Sequence, residues 1–240
     1  MSDTSLQEFW IFDSWFEHDE IGRNVTLDAG NRSVLVNGKR HSSLFEQPVV
    51  ATVAQNVRRK AHGDVLLLYH RGSRVVLISA RIRSALEAIN ATGFELLPAV
   101  VRLGEARGFV EVPYSQLLIN GWGGVAPTES GVVKVEHERL GLWRYSDPTD
   151  CSKIVDPNQY DGSDFFRVWP MPGSIFVTSR IKRLFEEMQV KNCRFESLEK
   201  RFGLPKLTLP GMAPAPLSLY LRPDRAKDVG GQFGIDWFDC

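Results

Sequence analysis

The chain has 240 residues, 43% of them hydrophobic and 24% charged, with Lys+Arg 29 against Asp+Glu 29. That apolar share builds a globular core and excludes a disordered chain, and the zero formal net charge excludes a whole-molecule field that selects nucleic acid or an anionic membrane. Cys151, Cys193 and Cys240 are odd in number, form no C-x-x-C pair and lie in a chain too long for a disulfide scaffold, which predicts free thiols in a reducing compartment.

Residues 1–12, MSDTSLQEFWIF, carry no basic region followed by a long apolar one, so no secretory signal is expected. No apolar run approaches the roughly 18 residues needed to cross a bilayer, and the chain reads as cytoplasmic. Residues 6–16 hold Phe9, Trp10, Phe12, Trp15 and Phe16. On an extended chain Trp10, Phe12 and Phe16 share one face and Phe9, Ile11 and Trp15 the other, which predicts a strand buried on both sides. The acids Asp13, Glu17, Asp19 and Glu20 follow on the expected exit loop. Residues 25–27 and 33–36 are short strand candidates. Pro48 precedes residues 49–59, read as a helix whose basic end, Arg58-Arg59, suits its negative terminus. Residues 65–69 and 74–78 flank His70-Arg71-Gly72-Ser73 and read as a hairpin. Residues 95–103, 108–112 and, after Pro113, 114–119 read as strands, and residues 121–131 as a loop. Residues 132–136 and 140–145 are further strand candidates. Residues 147–164 are polar and turn-rich, and 165–168 form a strand leading into Pro170-Met171-Pro172-Gly173. Residues 204–223 contain Pro205, Pro210, Pro214, Pro216 and Pro223, which bars a helix or a central strand there. Residues 222–231 read as a mobile charged segment, and Ile235-Asp236-Trp237-Phe238 as aromatics that need a surface to dock on.

One pattern occurs twice. Residues 75–97, VVLISARIRSALEAINATGFELL, and 175–198, IFVTSRIKRLFEEMQVKNCRFESL, each run from an apolar strand into a helix start, an amphipathic helix and a second strand. Ile82, Ala85, Leu86 and Ile89 are spaced as one buried helix face, as are Ile181, Leu184, Phe185 and Met188. Ser79 and Thr178 are the expected N-caps, and Gly93 the expected left-handed residue past the first helix. Arg81 matches Arg180, Glu87 matches Glu186, and, after a two-residue insertion, Phe94-Glu95 matches Phe195-Glu196. The expected fold is α+β, with mixed or antiparallel sheets and two pseudo-repeated strand–helix–strand units. It makes a single domain over 1–240, from two related halves (about 1–107 and 108–203) and a Pro-rich tail, 204–240.

The unit S/T-x-R-I-K/R-x-x-L-E…F-E resembles the signature of a bacterial immunity-protein family of polymorphic toxin systems, first described from a myxobacterial toxin–immunity locus. Val112-Pro113-Tyr114-Ser115-Gln116-Leu117-Leu118-Ile119-Asn120 and Gly162-Ser163-Asp164-Phe165-Phe166-Arg167-Val168 are similar to two further strands of that family. The likeness covers about residues 66–198. It departs after Asn120, where such families run into an acidic segment and this chain has Gly121-Trp122-Gly123-Gly124-Val125-Ala126-Pro127. The resemblance implies a non-enzymatic protein that binds and neutralises one cognate toxin encoded by a neighbouring gene, for which a nuclease is a common pairing. The balanced charge and the lack of a long apolar run add the expectation of no nucleic-acid or membrane partner. The alternative is a small cytoplasmic enzyme, a hydrolase or transferase with a site assembled from distant residues.

The motifs that carry chemistry are weak. Gly121-Trp122-Gly123-Gly124 is followed by no Lys-Ser/Thr and reads as an exposed turn, with Trp122 on it. His18, His41, His62, His70 and His137 have no metal-ligand spacing, and no G-x-S-x-G occurs. Glu87 and Glu186 read as partners of Arg83 and Lys182 one turn back. Arg81 and Arg180 read as ties to a strand or a carbonyl before they read as anion ligands. No catalytic residue, metal or cofactor is therefore expected. The expected toxin contacts are the acidic and aromatic groups Trp15, Glu17, Asp19 and Glu20, the loop residue Trp122, and Asp236, Trp237 and Asp239.

Overall fold

The computed structural model describes residues 8–13, 25–27, 49–53, 63–70, 73–105, 108–126, 153–169, 174–202 and 223–233. Their strands are β1 (Phe9–Asp13), β2 (Val25–Leu27), β3 (Val49–Val53), β4 (Val65–His70), β5 (Ser73–Ser79), β6 (Phe94–Glu105), β7 (Gly108–Ile119), β8 (Gly121–Val125), β9 (Phe165–Trp169), β10 (Ile175–Thr178) and β11 (Arg194–Ser197). Their helices are α1 (Ala80–Ala88), α2 (Ser179–Glu187), α3 (Leu198–Phe202) and α4 (Pro223–Phe233). The fold is α+β. One sheet has the order β2-β3-β6-β7-β5-β4 and the other β11-β1-β10-β9-β8. Both are mixed, because β3 runs parallel to β6 and β8 parallel to β9.

Local chemistry explains most of the pairing. The β4/β5 hairpin registers Val65 on Ile78 and His70 on Ser73, where the two apolar runs match in length. β6 and β7 form a long antiparallel arm from Phe94↔Ile119 to Glu105↔Gly108. Both arms of it contain a proline, which has no N–H for a ladder. The β3 ladder on β6 begins at Ala99, one residue past Pro98. The β5 ladder on β7 ends at Tyr114, one residue short of Pro113. Each proline thus sits where its strand has a partner on one side only. For this reason β7 runs unbroken through Pro113 instead of restarting there.

α1 and α2 each bury one stripe. Ile82 and Leu86 of α1 and Ile181 and Phe185 of α2 are fully sequestered. They meet Val65, Ile78, Leu117, Phe12, Phe165 and Val177 in a single apolar cluster drawn from both sheets. β1 is buried on both faces, as its alternating aromatics require. Trp10 and Phe12 face that cluster, while Phe9 and Ile11 face a second one with Phe166, Val168, Phe176 and Leu198.

Several expectations are overturned. Residues 49–53 form strand β3, not a helix, as their Val-rich sequence favours on a pleated surface; residues 54–59 lie outside the described set. Residues 121–125 form strand β8, not a loop, and Trp122 is 2% exposed. The glycines there serve close packing: a Cβ on Gly121 would lie 2.1 Å from Phe165 O, and one on Gly123 2.4 Å from the Phe166 ring. Asp13 ends β1 instead of starting a loop, is buried, and meets Arg194 at 3.5 Å. Residues 223–233 form α4, with Pro223 in the first turn, where its fixed φ suits a helix. Gly93 is left-handed past α1 as expected (φ 84), and the chain is also left-handed earlier, at Asn90 (φ 50), matched by Gln189 (φ 52) after α2. The strand candidates 33–36, 132–136 and 140–145, the segment 204–222 and the aromatics 235–238 lie outside the described residues.

Candidate functional site

The residues that carry the repeated motif converge on the seam between α1 and α2. Ser79 has extended backbone angles and its hydroxyl accepts from the Ile82 N–H at 3.5 Å, capping α1. Thr178 holds the same position before α2, but its hydroxyl donates to Asp164 Oδ1 at 2.9 Å instead of capping. Arg81 forks onto Asp64, with Nε to Oδ1 at 3.1 Å and Nη2 to Oδ2 at 2.7 Å, and its Nη1 reaches Met188 O at 3.0 Å. Arg180 donates to Asp164 Oδ2 at 3.1 Å and to Ile89 O.

Each aspartate is held by more than its arginine. Asp64 also accepts from the Ser79 hydroxyl at 3.3 Å and from the Lys191 N–H at 3.0 Å. Asp164 also accepts from the Thr92 N–H at 3.1 Å, and its own N–H donates to Thr92 Oγ1 at 3.1 Å. Burial pushes the Asp64 carboxyl up, but the Arg81 hydrogen bonds, the Lys191 N–H and the Ser79 hydroxyl outweigh it and hold the group below its ordinary value. Beside this seam the Cys193 thiol is pushed up to about 12, first by burial and then by the charges of Asp64 and Glu186, so it stays protonated at neutral pH. The guanidiniums of Arg81 and Arg180 are engaged by a carboxylate and a helix-end carbonyl each. They are ties within the fold and not open anion receptors.

The remaining candidates separate cleanly. Glu87 pairs with Arg83 at 2.9 Å and Glu186 with Lys182 at 2.9 Å, both on the outer helix faces, where such pairs contribute little stability. Trp122 is not a surface anchor: its backbone N–H donates to Asp161 Oδ2 at 2.9 Å and its carbonyl accepts from the Asp161 N–H at 3.0 Å, which seals β8 under residues 156–161. Trp15, Glu17, Asp19, Glu20, Asp236, Trp237 and Asp239 lie outside the described residues. Among the described residues no group of three or more His, Cys, Asp or Glu is placed to hold a metal. No helix among them is long and apolar enough to cross a membrane.

The two aspartates are the residues that sequence reasoning missed. A signal for them exists. Gly63-Asp64-Val65 and Ser163-Asp164-Phe165 are both a small residue, an aspartate and an apolar residue at a hairpin start. Extending the repeat upstream by one strand brings them into line. No family model matches the chain, and no curated protein matches it.

Proposed function

We propose that this chain is an immunity protein that acts in the cytoplasm, binding one cognate secreted bacterial toxin and neutralising it by stoichiometric occlusion of its active site. One observation supports the reading above the rest. The residues that carry the family resemblance do the same jobs in both strand–helix–strand units: Arg81 and Arg180 each bind an aspartate and a helix-end carbonyl, and Ile82 and Ile181 each enter the core. A chance match of a degenerate apolar pattern has no reason to place its polar members in matching roles. An inhibitor also needs a stiff body, since binding energy is lost when a surface must be ordered on association. The cluster joining both sheets to α1 and α2 supplies one.

The toxin contacts are proposed at two acidic–aromatic segments. Trp15, Glu17, Asp19 and Glu20 follow β1, and Asp236, Trp237 and Asp239 follow α4 in the chain. A toxin that attacks nucleic acid has a basic cleft, and carboxylates presented to it speed encounter while desolvated pairs slow release. The test is growth rescue of cells that express the toxin domain encoded beside this gene. Wild-type chain is expected to restore growth. Folded Asp19→Lys/Glu20→Lys and Asp236→Lys/Asp239→Lys variants are expected to weaken rescue in at least one case. Full rescue by both would move the interface elsewhere, and no rescue by wild type would overturn the immunity reading.

A further inference from the structure

The contacts across the seam are exchanged between the two units. Arg81 of the first unit binds Met188 O of the second, and Arg180 of the second binds Ile89 O of the first. The Lys191 N–H, past α2, donates to Asp64, and the Thr92 N–H, past α1, donates to Asp164. A Cβ on Gly63 would lie 1.4 Å from Asn192 Nδ2, and one on Gly93 would lie 2.5 Å from Ser163 Cβ. Gly63 and Ser163 each precede the seam aspartate, while Gly93 and Asn192 hold matching places after the helices. When i touches j′ and i′ touches j, the two bodies face each other isologously, across a two-fold axis.

The sheets follow the same relation residue by residue. Val65 opposes Ile78 in the first hairpin as Phe165 opposes Val177 in the second. Ile78 opposes Ser115 of β7 as Val177 opposes Trp10 of β1. Leu117 opposes Leu96 of β6 as Phe12 opposes Phe195 of β11. The order β4-β5-β7-β6 therefore recurs as β9-β10-β1-β11. Leu96, and not Phe94, is the match of Phe195, so the two-residue insertion expected from the sequence vanishes. One departure is compensated. Tyr114 donates its hydroxyl to Gly63 O at 2.8 Å. Its counterpart by register, Phe9, has no hydroxyl, and Tyr160, whose ring lies 5.2 Å from Phe9, donates to Ser163 O instead.

We infer that the molecule is an internal pair: two copies of one strand–strand–helix–strand–strand unit facing each other across a pseudo-two-fold axis at the α1–α2 seam. In the first copy the closing strand is β7, which follows β6 in the chain. In the second the closing strand is β1, supplied from the N-terminal end of the chain, so the second copy is completed by a circular permutation. The surface that each unit fits is the other unit. The arginines of the repeated motif are then residues of the joint between copies, whatever the protein binds outside. This inference stands apart from the immunity reading.

Amide hydrogen exchange on the full chain tests it. Asp64→Ala is expected to speed exchange at residues 188–191, the far end of the second unit's helix, by about tenfold or more through loss of charge-assisted hydrogen bonds. Asp164→Ala is expected to do the same at residues 89–92 of the first unit, to a similar extent. Should either variant fail to fold, Arg81→Lys and Arg180→Lys keep the charge, lose the guanidinium that spans the carboxylate and the helix-end carbonyl together and report the same crossed pattern. Loosening confined to the mutated residue's own unit, or present for one substitution and absent for its counterpart, would overturn the two-fold arrangement.

Discussion

Asp64 governs how the seam responds to acid. Its folded carboxyl titrates below the ordinary value, because the hydrogen bonds and charge of Arg81 outweigh burial. A depressed carboxylate contributes stability that is present above the unfolded value, about 3.9, and is lost as pH falls through the folded value. Asp64→Asn is therefore predicted to cost about 1–3 kcal/mol at pH 7 and to approach wild type once the pH falls below the folded carboxyl's depressed value. Urea unfolding at both pH values measures it, and an equal deficit at both would contradict the assignment. At this scale the sequence was informative wherever a residue's role is local. Glu87 and Glu186 lie one helical turn from their partners, so spacing alone pairs them. Asp64 and Asp164 were hidden because their partners, the Arg81 and Arg180 guanidiniums and the Lys191 and Thr92 amides, come from elsewhere in the chain. The pairing of Asp13 with Arg194 was hidden for the same reason.

Elements depend on close approach as much as on propensity. Gly93 has φ +84, and a Cβ there would lie 2.0 Å from Phe165 O. Gly93→Ala is thus predicted to lose more than about 1 kcal/mol, beyond what the stiffer unfolded chain returns, and thermal unfolding measures the loss. Leu86→Ala and Phe185→Ala remove fully buried side chains from the shared cluster; the expected cost of each is about 2–5 kcal/mol, burial plus cavity. A loss under about half a kcal/mol for either would mean that its helix face is not core. The helices, the first hairpin and the doubly buried β1 were readable, because each has a strong period or a bounded apolar run. β8 was not, since a Gly-Trp-Gly-Gly string reads as a turn until Phe165 and Phe166 are found against it. β3 was not either, because nothing local shows that its partner is the β6 strand far along the chain. The charged α4 offered no apolar stripe to read.

At the scale of the whole molecule, both sheets and the helices α1 and α2 share one apolar cluster. The chain is accordingly predicted to unfold as one cooperative body, with the tryptophan fluorescence and far-UV circular dichroism transitions coinciding. The α+β class was legible from the alternation of strand and helix patterns. The arrangement that joins the halves was not, since it rests on β1 entering between β10 and β11, strands from far along the sequence. The functional reading rests on the same motif residues, now seen to act at the joint, and on acidic–aromatic segments chosen by their chemistry. The central claim is stoichiometric neutralisation. Its most direct test is a titration of the purified chain into the purified toxin domain proposed as its partner, following heat and residual toxin activity together. The expected result is a binding isotherm that saturates at one chain per toxin domain, with activity abolished at that same point. Activity that persists through a large excess of folded chain, with no heat of binding, would contradict it.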